Sequence, residues 1–279
     1  MTSTPYHEHL RVARKAAFTA GKILTEYQKK QNSLVVQEIK AHDIKLELDR
    51  KLQDLIVKSL LDFTPQASIY GEEDTFGNQE APECWIIDPI DGTVNFFFGI
   101  PHYCISIAFA VERTIMVGVI YDPIRDELWQ AERGITVTLN NQPIQVSNRS
   151  QLQQATVSVG LFKEGAGVQR NLPQFNKIAQ QALKCRLMGS AALDMAYLAT
   201  GRLDVFIESE IHLWDIAAGI LMVEMAGGIL DYHPHPKAPE KYSMIASNGN
   251  IDLPSLEELY PSLTSQENIP ASSSKENHS

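Results

Sequence analysis

The stretch WIIDPIDGTVNFFFGIP, residues 85–101, decides how the chain folds. Trp85, Ile86 and Ile87 read as a strand buried on both faces, yet Asp88 and Asp91 follow at once. Burying one carboxylate without a partner is costly, and two close together repel, so the pair needs positive charge between them. Pro89 and Gly92 fix the backbone tightly, which lets both side chains and the Ile90 carbonyl converge on one point. Gly92-Thr93-Val94-Asn95 then opens a short segment whose free N–H groups suit an anion. For an arbitrary pair of aspartates at this spacing, capping of the next helix is the commoner explanation. Carboxylates beside an anion site make sense when a cation lies between them.

The rest of the chain sets the frame. Its 279 residues are 44% apolar, enough for a large core in one domain or in two halves sharing a cleft. A formal charge of −10 argues against a binder of nucleic-acid phosphates. Cys84, Cys104 and Cys185 are scattered with no CxxC pair, which fits buried thiols in a reducing compartment. The opening MTSTPYHEHLRVARKAAF lacks the apolar run of a signal peptide, and the apolar stretch around Cys104 is broken by Glu112 and Arg113. A cytoplasmic protein with no membrane partner is the expectation.

Periodicity predicts helices at 7–30 and 45–63, then strands at 67–70, 84–88, 103–111, 114–121 and 127–132, with Glu112-Arg113 as a turn. Weaker strands at 135–138 and 155–159 flank the turn signal NNQP at 140–143. Helix 172–184, strand 185–188, helix 190–200, strand 203–207 and helix 214–226 follow. Strands 229–232 and 243–247 and a short helix 253–260 complete the order. Clustered strands followed by alternation imply layered sheets and helices with no simple doubly wound order. The division expected is an N-terminal half at 1–150, a C-terminal half at 151–262 and a disordered polar tail at 263–279.

Further acidic residues sit where a purely structural reading is uncomfortable. Glu72 and Glu73 close the strand ASIYGEED at a glycine turn. Asp49 lines up with Leu52, Ile56 and Leu60, at the edge of an apolar helical stripe. Asp215 follows Trp214 at the start of LWDIAAGILMVEMAGG, where the helix dipole alone would favour it. Glu208 and Glu210 precede that helix, and Ala217, Ala218 and Gly219 let it pack closely. Together these residues offer the oxygen ligands that hard divalent ions prefer, with no His/Cys cluster of the kind zinc selects. The prolines of HPHP at 233–236 make an extended surface loop the reading there, ahead of a metal site.

GEED, WIIDPIDGTVNF and LWDIAAGILMVEMAGG, in this order and spacing, resemble the motifs of the inositol monophosphatase family of Mg²⁺-dependent, lithium-sensitive phosphatases. The resemblance runs from about residue 8 to 260. It implies a layered α-β-α-β-α sandwich of the inositol monophosphatase/fructose-1,6-bisphosphatase type, an α+β half joined to an α/β half. It implies metal ligands at Glu72, Asp88, the Ile90 carbonyl, Asp91 and Asp215, with Asp88 bridging two ions. Asp49 and Thr93 match the pair that positions the attacking water, with Glu72 also holding it. Gly92 and Thr93 amides match the phosphate contact, Gly189, Ser190 and Ala191 a substrate-lining segment, and Glu208 a contact to substrate hydroxyls. The segment DIKLELD departs from the family at Lys45 and Glu47, where many members carry threonine or alanine.

The implied reaction is hydrolysis of a small phosphorylated polyol, with myo-inositol 1-phosphate expected, by metal-activated water in direct in-line attack. Two or three Mg²⁺ ions are implied, with Mn²⁺ as a substitute, along with lithium inhibition and a homodimer. Other routes lack their residues: Asp88 and Asp91 are three apart where an aspartyl-phosphate enzyme needs two, Ala110 stands where a cysteine phosphatase needs arginine, and no GxSxG occurs. Histidinol phosphate, fructose 1,6-bisphosphate and NADP are alternative substrates within the family, and a regulatory protein-binding role is the non-catalytic alternative.

Overall fold

In the computed structural model, which describes residues 6–29, 36–40, 43–78, 81–160, 167–235 and 238–259, helix α1 (His7–Gln28) precedes a hairpin of β1 (Val36–Lys40) and β2 (Asp43–Leu46). Helix α2 (Glu47–Leu61) and strands β3 (Ser68–Gly71), β4 (Thr75–Phe76) and β5 (Glu83–Asp91) come next. Short helix α3 (Thr93–Phe97) leads into β6 (Cys104–Val111), β7 (Thr114–Asp122), β8 (Glu127–Glu132), β9 (Thr136–Leu139) and β10 (Gln142–Pro143). Then follow β11 (Thr156–Val159), α4 (Gly167–Ala179), β12 (Lys184–Arg186), α5 (Ala191–Ala199) and β13 (Val205–His212). Helix α6 (Leu213–Met225), β14 (Ile229–His235), β15 (Ala238–Ser247) and α7 (Leu256–Leu259) end the described chain.

Strands β3 to β10 form one sheet of eight, ordered β10-β9-β8-β7-β6-β5-β3-β4, with β3 and β5 parallel and the other neighbours antiparallel. A five-stranded mixed sheet runs β12-β11-β13-β15-β14. Alternation sorts the side chains of the larger sheet. Trp85 and Ile87 of β5, with Ile105, Ile107 and Phe109 of β6, pack on apolar residues of α1 and α2. Ile86, Ala108 and Ala110 point the other way, into α5 and α6. The smaller sheet covers the far side of α5 and α6 through Phe206, Met244 and Ala246, and its outer face packs Val157, Val205 and Ile245 on α4 and α7. Five layers result, α-β-α-β-α, as the resemblance implied.

The middle layer is tight because its contacts are glycines. A Cβ on Gly118 of β7 would lie 2.9 Å from the Ala218 carbonyl oxygen, and one on Gly219 would lie 2.6 Å from Met195 Cβ. The small residues of α6 therefore serve helix packing. The Glu112-Arg113 and Asn140-Asn141 turns both have positive φ at each central residue, the backbone of tight hairpins. Asparagine tolerates that conformation; Glu112 is helped by donating its N–H to the Pro82 carbonyl at 2.7 Å.

Several boundaries differ from the expectation. His233, Pro234 and His235 form no surface loop: they continue β14, an edge strand where proline is tolerated, while Pro236 lies outside the described residues. His233 pairs with Asp231 at 3.0 Å, and buried His235 faces Glu210 at 3.7 Å. The helix expected at 172–184 begins earlier, at Gly167, and ends at Ala179, since Lys184 already pairs with Thr156 in the sheet. Helix α2 starts at Glu47, because Lys45 and Leu46 belong to β2. The tail expected to be disordered lies outside the described residues. No described helix is long and apolar enough to cross a membrane.

Candidate active site

The period of two that sends Ile86 toward the middle layer sends Asp88 there too. Asp88 is 1% exposed, and its Oδ1 accepts the Ile90 amide at 2.9 Å, folding the chain over Pro89. The pairing of β5 with β6 shifts register between Asp88 and Asp91, and this bulge re-aims the second carboxylate. Asp91 Oδ2 accepts the Ser190 hydroxyl at 2.6 Å and the Ala192 amide at 2.7 Å, at the start of α5. Asp215 approaches from α6, where its Oδ2 accepts the His212 amide at 3.1 Å. One oxygen from each of Asp88, Asp91 and Asp215 lies within 4.8 Å of the others.

Glu72, just beyond β3 and on the same side as Tyr70, completes the acidic wall. Burial, then the charges of Asp215, Asp49 and Glu73, hold its carboxyl well above the usual range. Asp88 is raised likewise by burial and by Glu72, Asp91 and Asp215. Asp215 is pushed up to about 8 by burial and the Asp91 charge. Asp91 reaches only about 6, because the bonds from Ser190 and the α5 amides offset part of its burial. Among the described residues, no lysine or arginine forms an ion pair with any of these four. An all-oxygen donor set, buried, mutually repelling and oriented by protein hydrogen bonds, fits a hard divalent cation.

Asp49 enters from the opposite side of the sheet. It is the third residue of α2, 1% exposed, with Oδ2 accepting the Leu46 amide at 2.9 Å. The Thr93 hydroxyl lies 3.2 Å from Asp49 Oδ1 and 2.8 Å from the Ile90 carbonyl oxygen. Burial pushes Asp49 up to about 7, against the pull of the Leu46 amide. Gln53, one turn further along α2, was not anticipated. Its amide donates to the Asp74 carbonyl at 2.9 Å and accepts the Glu73 amide at 3.0 Å, fixing the loop that presents Glu72. Its place four residues after Asp49 on the apolar face was the available signal.

The remaining expected residues line the same end of β5. Gly92 has φ +94°, and a Cβ there would lie 3.0 Å from the His102 carbonyl oxygen and 3.1 Å from that of Gly189. Ser190 turns its hydroxyl onto Asp91, so its side chain holds a carboxylate, while Ala191 opens α5 beside it. Glu208 lies on β13, nearly buried and pushed up to about 7 by that burial. A Cβ at Gly160 would fall on Glu208 Oε2, so the glycine makes the carboxylate's cradle.

Comparison with known proteins identifies the family. The family model described as "Inositol monophosphatase family" matches residues 6–267. The chain is 38% identical over 243 residues to a protein named Nus factor SuhB from Xylella fastidiosa, covering 84% of this chain and 88% of that one. It is 35% identical over 246 residues to an inositol-1-monophosphatase from a Synechocystis strain, covering 87% and 85%. Among solved structures, extragenic suppressor protein suhB from Bartonella henselae superimposes with a TM-score of 0.81 at 33% identity, covering 87% of this chain and 95% of that one. A match along nearly the whole chain, on a fold whose strand ends gather the same acidic motifs, places this protein in the inositol monophosphatase family.

Proposed function

We propose that this chain is a cytoplasmic, homodimeric, Mg²⁺-dependent phosphatase that hydrolyses a small phosphorylated polyol, myo-inositol 1-phosphate being the expected substrate. The observation behind this reading is the convergence of Asp88, Asp91 and Asp215 without a counter-cation among the described side chains. Residues 1–150 supply most of the ligands, and residues 151–262 complete the site with Asp215 and Glu208.

Glu72, Asp88, the Ile90 carbonyl, Asp91 and Asp215 would hold two or three Mg²⁺ ions, with Mn²⁺ as a substitute. Bound there, the ions supply Lewis acidity that neutralises a phosphate dianion, acidifies water and stabilises the leaving alkoxide. The chain's part is orientation and proton handling. Thr93 has a single hydroxyl proton; when it is donated to Asp49, the oxygen is free to accept one from the attacking water. Asp49, with a carboxyl near 7, takes that proton at neutral pH and returns it afterwards. Glu72 flanks the same water. The amides of Gly92 and Thr93 face the phosphate, and Glu208 accepts hydrogen bonds from polyol hydroxyls.

Initial rates with Mg²⁺ on inositol, fructose, histidinol and NADP phosphates test the reading. Preference for inositol 1-phosphate, abolished by chelation and inhibited by Li⁺, is expected. A preference for one of the others moves the substrate assignment, and no metal-dependent hydrolysis of any overturns it. Relatives named Nus factor favour a second, regulatory protein-binding role. Partner binding that persists in a hydrolysis-dead Asp88→Asn protein would separate that role from the chemistry.

A further inference from the structure

Asn95 belongs to the TVNF motif, yet neither the metal site nor the proton path uses it. In α3 it follows Thr93 by two residues, so the two side chains leave the helix about 200° apart. Thr93 points to Asp49 and Ile90. Asn95 points the other way: its Nδ2 donates to the His102 carbonyl at 2.8 Å and the Met188 carbonyl at 2.9 Å, with that of Gly189 at 3.3 Å. Only the NH₂ end of the amide can satisfy carbonyls, and its two protons match the two shorter contacts.

Met188 and Gly189 lead directly into Ser190 and Ala192, the residues that hold Asp91. Two crosslinks therefore join 91–95 to 188–192 in opposite directions, Asp91 to Ser190 and Ala192 at one end and Asn95 to Met188 and Gly189 at the other. Between them the backbones meet at Gly92 and Gly189. A Cβ on Gly92 would lie 3.1 Å from the Gly189 carbonyl, and one on Gly189 would lie 3.1 Å from Asn95 Nδ2. Both glycines have positive φ.

We infer that Asn95 is a positioning residue: it locks the 188–192 segment onto the phosphate-binding turn, so that Asp91 and Thr93 are held in one fixed relation. The inference deepens the phosphatase reading and rests on it for the link to metal affinity, while the lock itself stands on geometry alone.

Amide hydrogen exchange and Mn²⁺ titration of the full chain test it together. In metal-free Asn95→Ala, amides of 188–192 should exchange about 10-fold faster, as expected for loss of a net hydrogen bond, with those of β6 unchanged. The Mn²⁺ dissociation constant should rise about 10- to 100-fold, the usual cost of removing a group that orients a ligand. Adding Ser190→Ala should bring little further loss, since both residues act on Asp91 through one segment. Unchanged exchange at 188–192 overturns the lock, and fully additive losses of Mn²⁺ affinity overturn the shared path. If Asn95→Ala does not fold, Asn95→Ser takes its place. A single hydroxyl proton cannot bridge two carbonyls, so intermediate effects are expected and wild-type behaviour is contrary. If the unmodified protein binds no Mn²⁺, the metal reading fails and the exchange data still decide whether Asn95 locks the segment.

Discussion

Asp49 and Asp215 occupy the same local position, the third residue of a helix, and each accepts the amide three residues before it, at 2.9 Å from Leu46 and 3.1 Å from His212. Helix α2 lies on the outer face of the eight-stranded sheet and α6 on the inner face, so the two carboxylates reach the end of β5 from opposite sides. Their neighbours differ. Asp49 meets a hydroxyl, from Thr93, whereas Asp215 meets the carboxylates of Asp88 and Asp91. A carboxylate facing a hydroxyl can trade a proton, while one facing two carboxylates needs a cation. In the proposed function the same capping geometry thus serves two chemical roles, set by what stands opposite.

Substitutions should split the two roles. Asp215→Asn removes charge from the carboxylate cluster, so turnover should drop by about 10³-fold, the upper end for removing one electrostatic group, and the Mg²⁺ needed for half-maximal rate should rise. Asp49→Asn should lower turnover by about 10²-fold, the lower end for a lost general acid–base, while Mg²⁺ binding by calorimetry stays as in the wild type. Equal losses of metal affinity in both would erase the contrast. Gly92→Ala, between the two sides, adds a Cβ in a left-handed conformation against two carbonyls; about 1–3 kcal/mol of stability should go, read by denaturant titration.

Stability of the chelated protein should also depend on pH. A carboxyl whose folded pKa lies above its unfolded one binds its proton more tightly when folded, so stability is lost as pH rises through that interval. For the chelated protein the interval runs from the ordinary 3.8 of aspartate to about 6 for Asp91 and about 8 for Asp215. The melting temperature of chelated protein should therefore fall from about pH 5 to about pH 8, and added Mg²⁺ should raise it more at the higher pH, where the carboxylates are ionised. A melting temperature of chelated protein that rises over this range would contradict the burial of unpaired charge.

Much of this was legible in the chain. The continuous apolar run Trp85-Ile86-Ile87 announced the strand that delivers Asp88, and the apolar run after Trp214 announced α6, because burial on both faces leaves a strong pattern. The β1–β2 hairpin was not legible, since VQEIK and DIKL are short and charged. The extension of β14 to His235 was hidden because edge strands tolerate prolines that central strands reject. Within the site, the carboxylates that converge could be picked out from the motifs, but the residues that orient them could not. Gln53 and Asn95 act through backbone groups 20 and 93 positions away and Ser190 through a carboxylate 99 positions away, and only the folded chain brings those together.

The most direct test of the central claim is anomalous diffraction from crystals soaked in Mn²⁺. A peak should appear with oxygens of Asp88, Asp91 and Asp215 about 2.0–2.2 Å away, close to the octahedral Mg²⁺ distance. Crystals that bind Mn²⁺ elsewhere, or hold those three carboxylates around no ion at all, would contradict it.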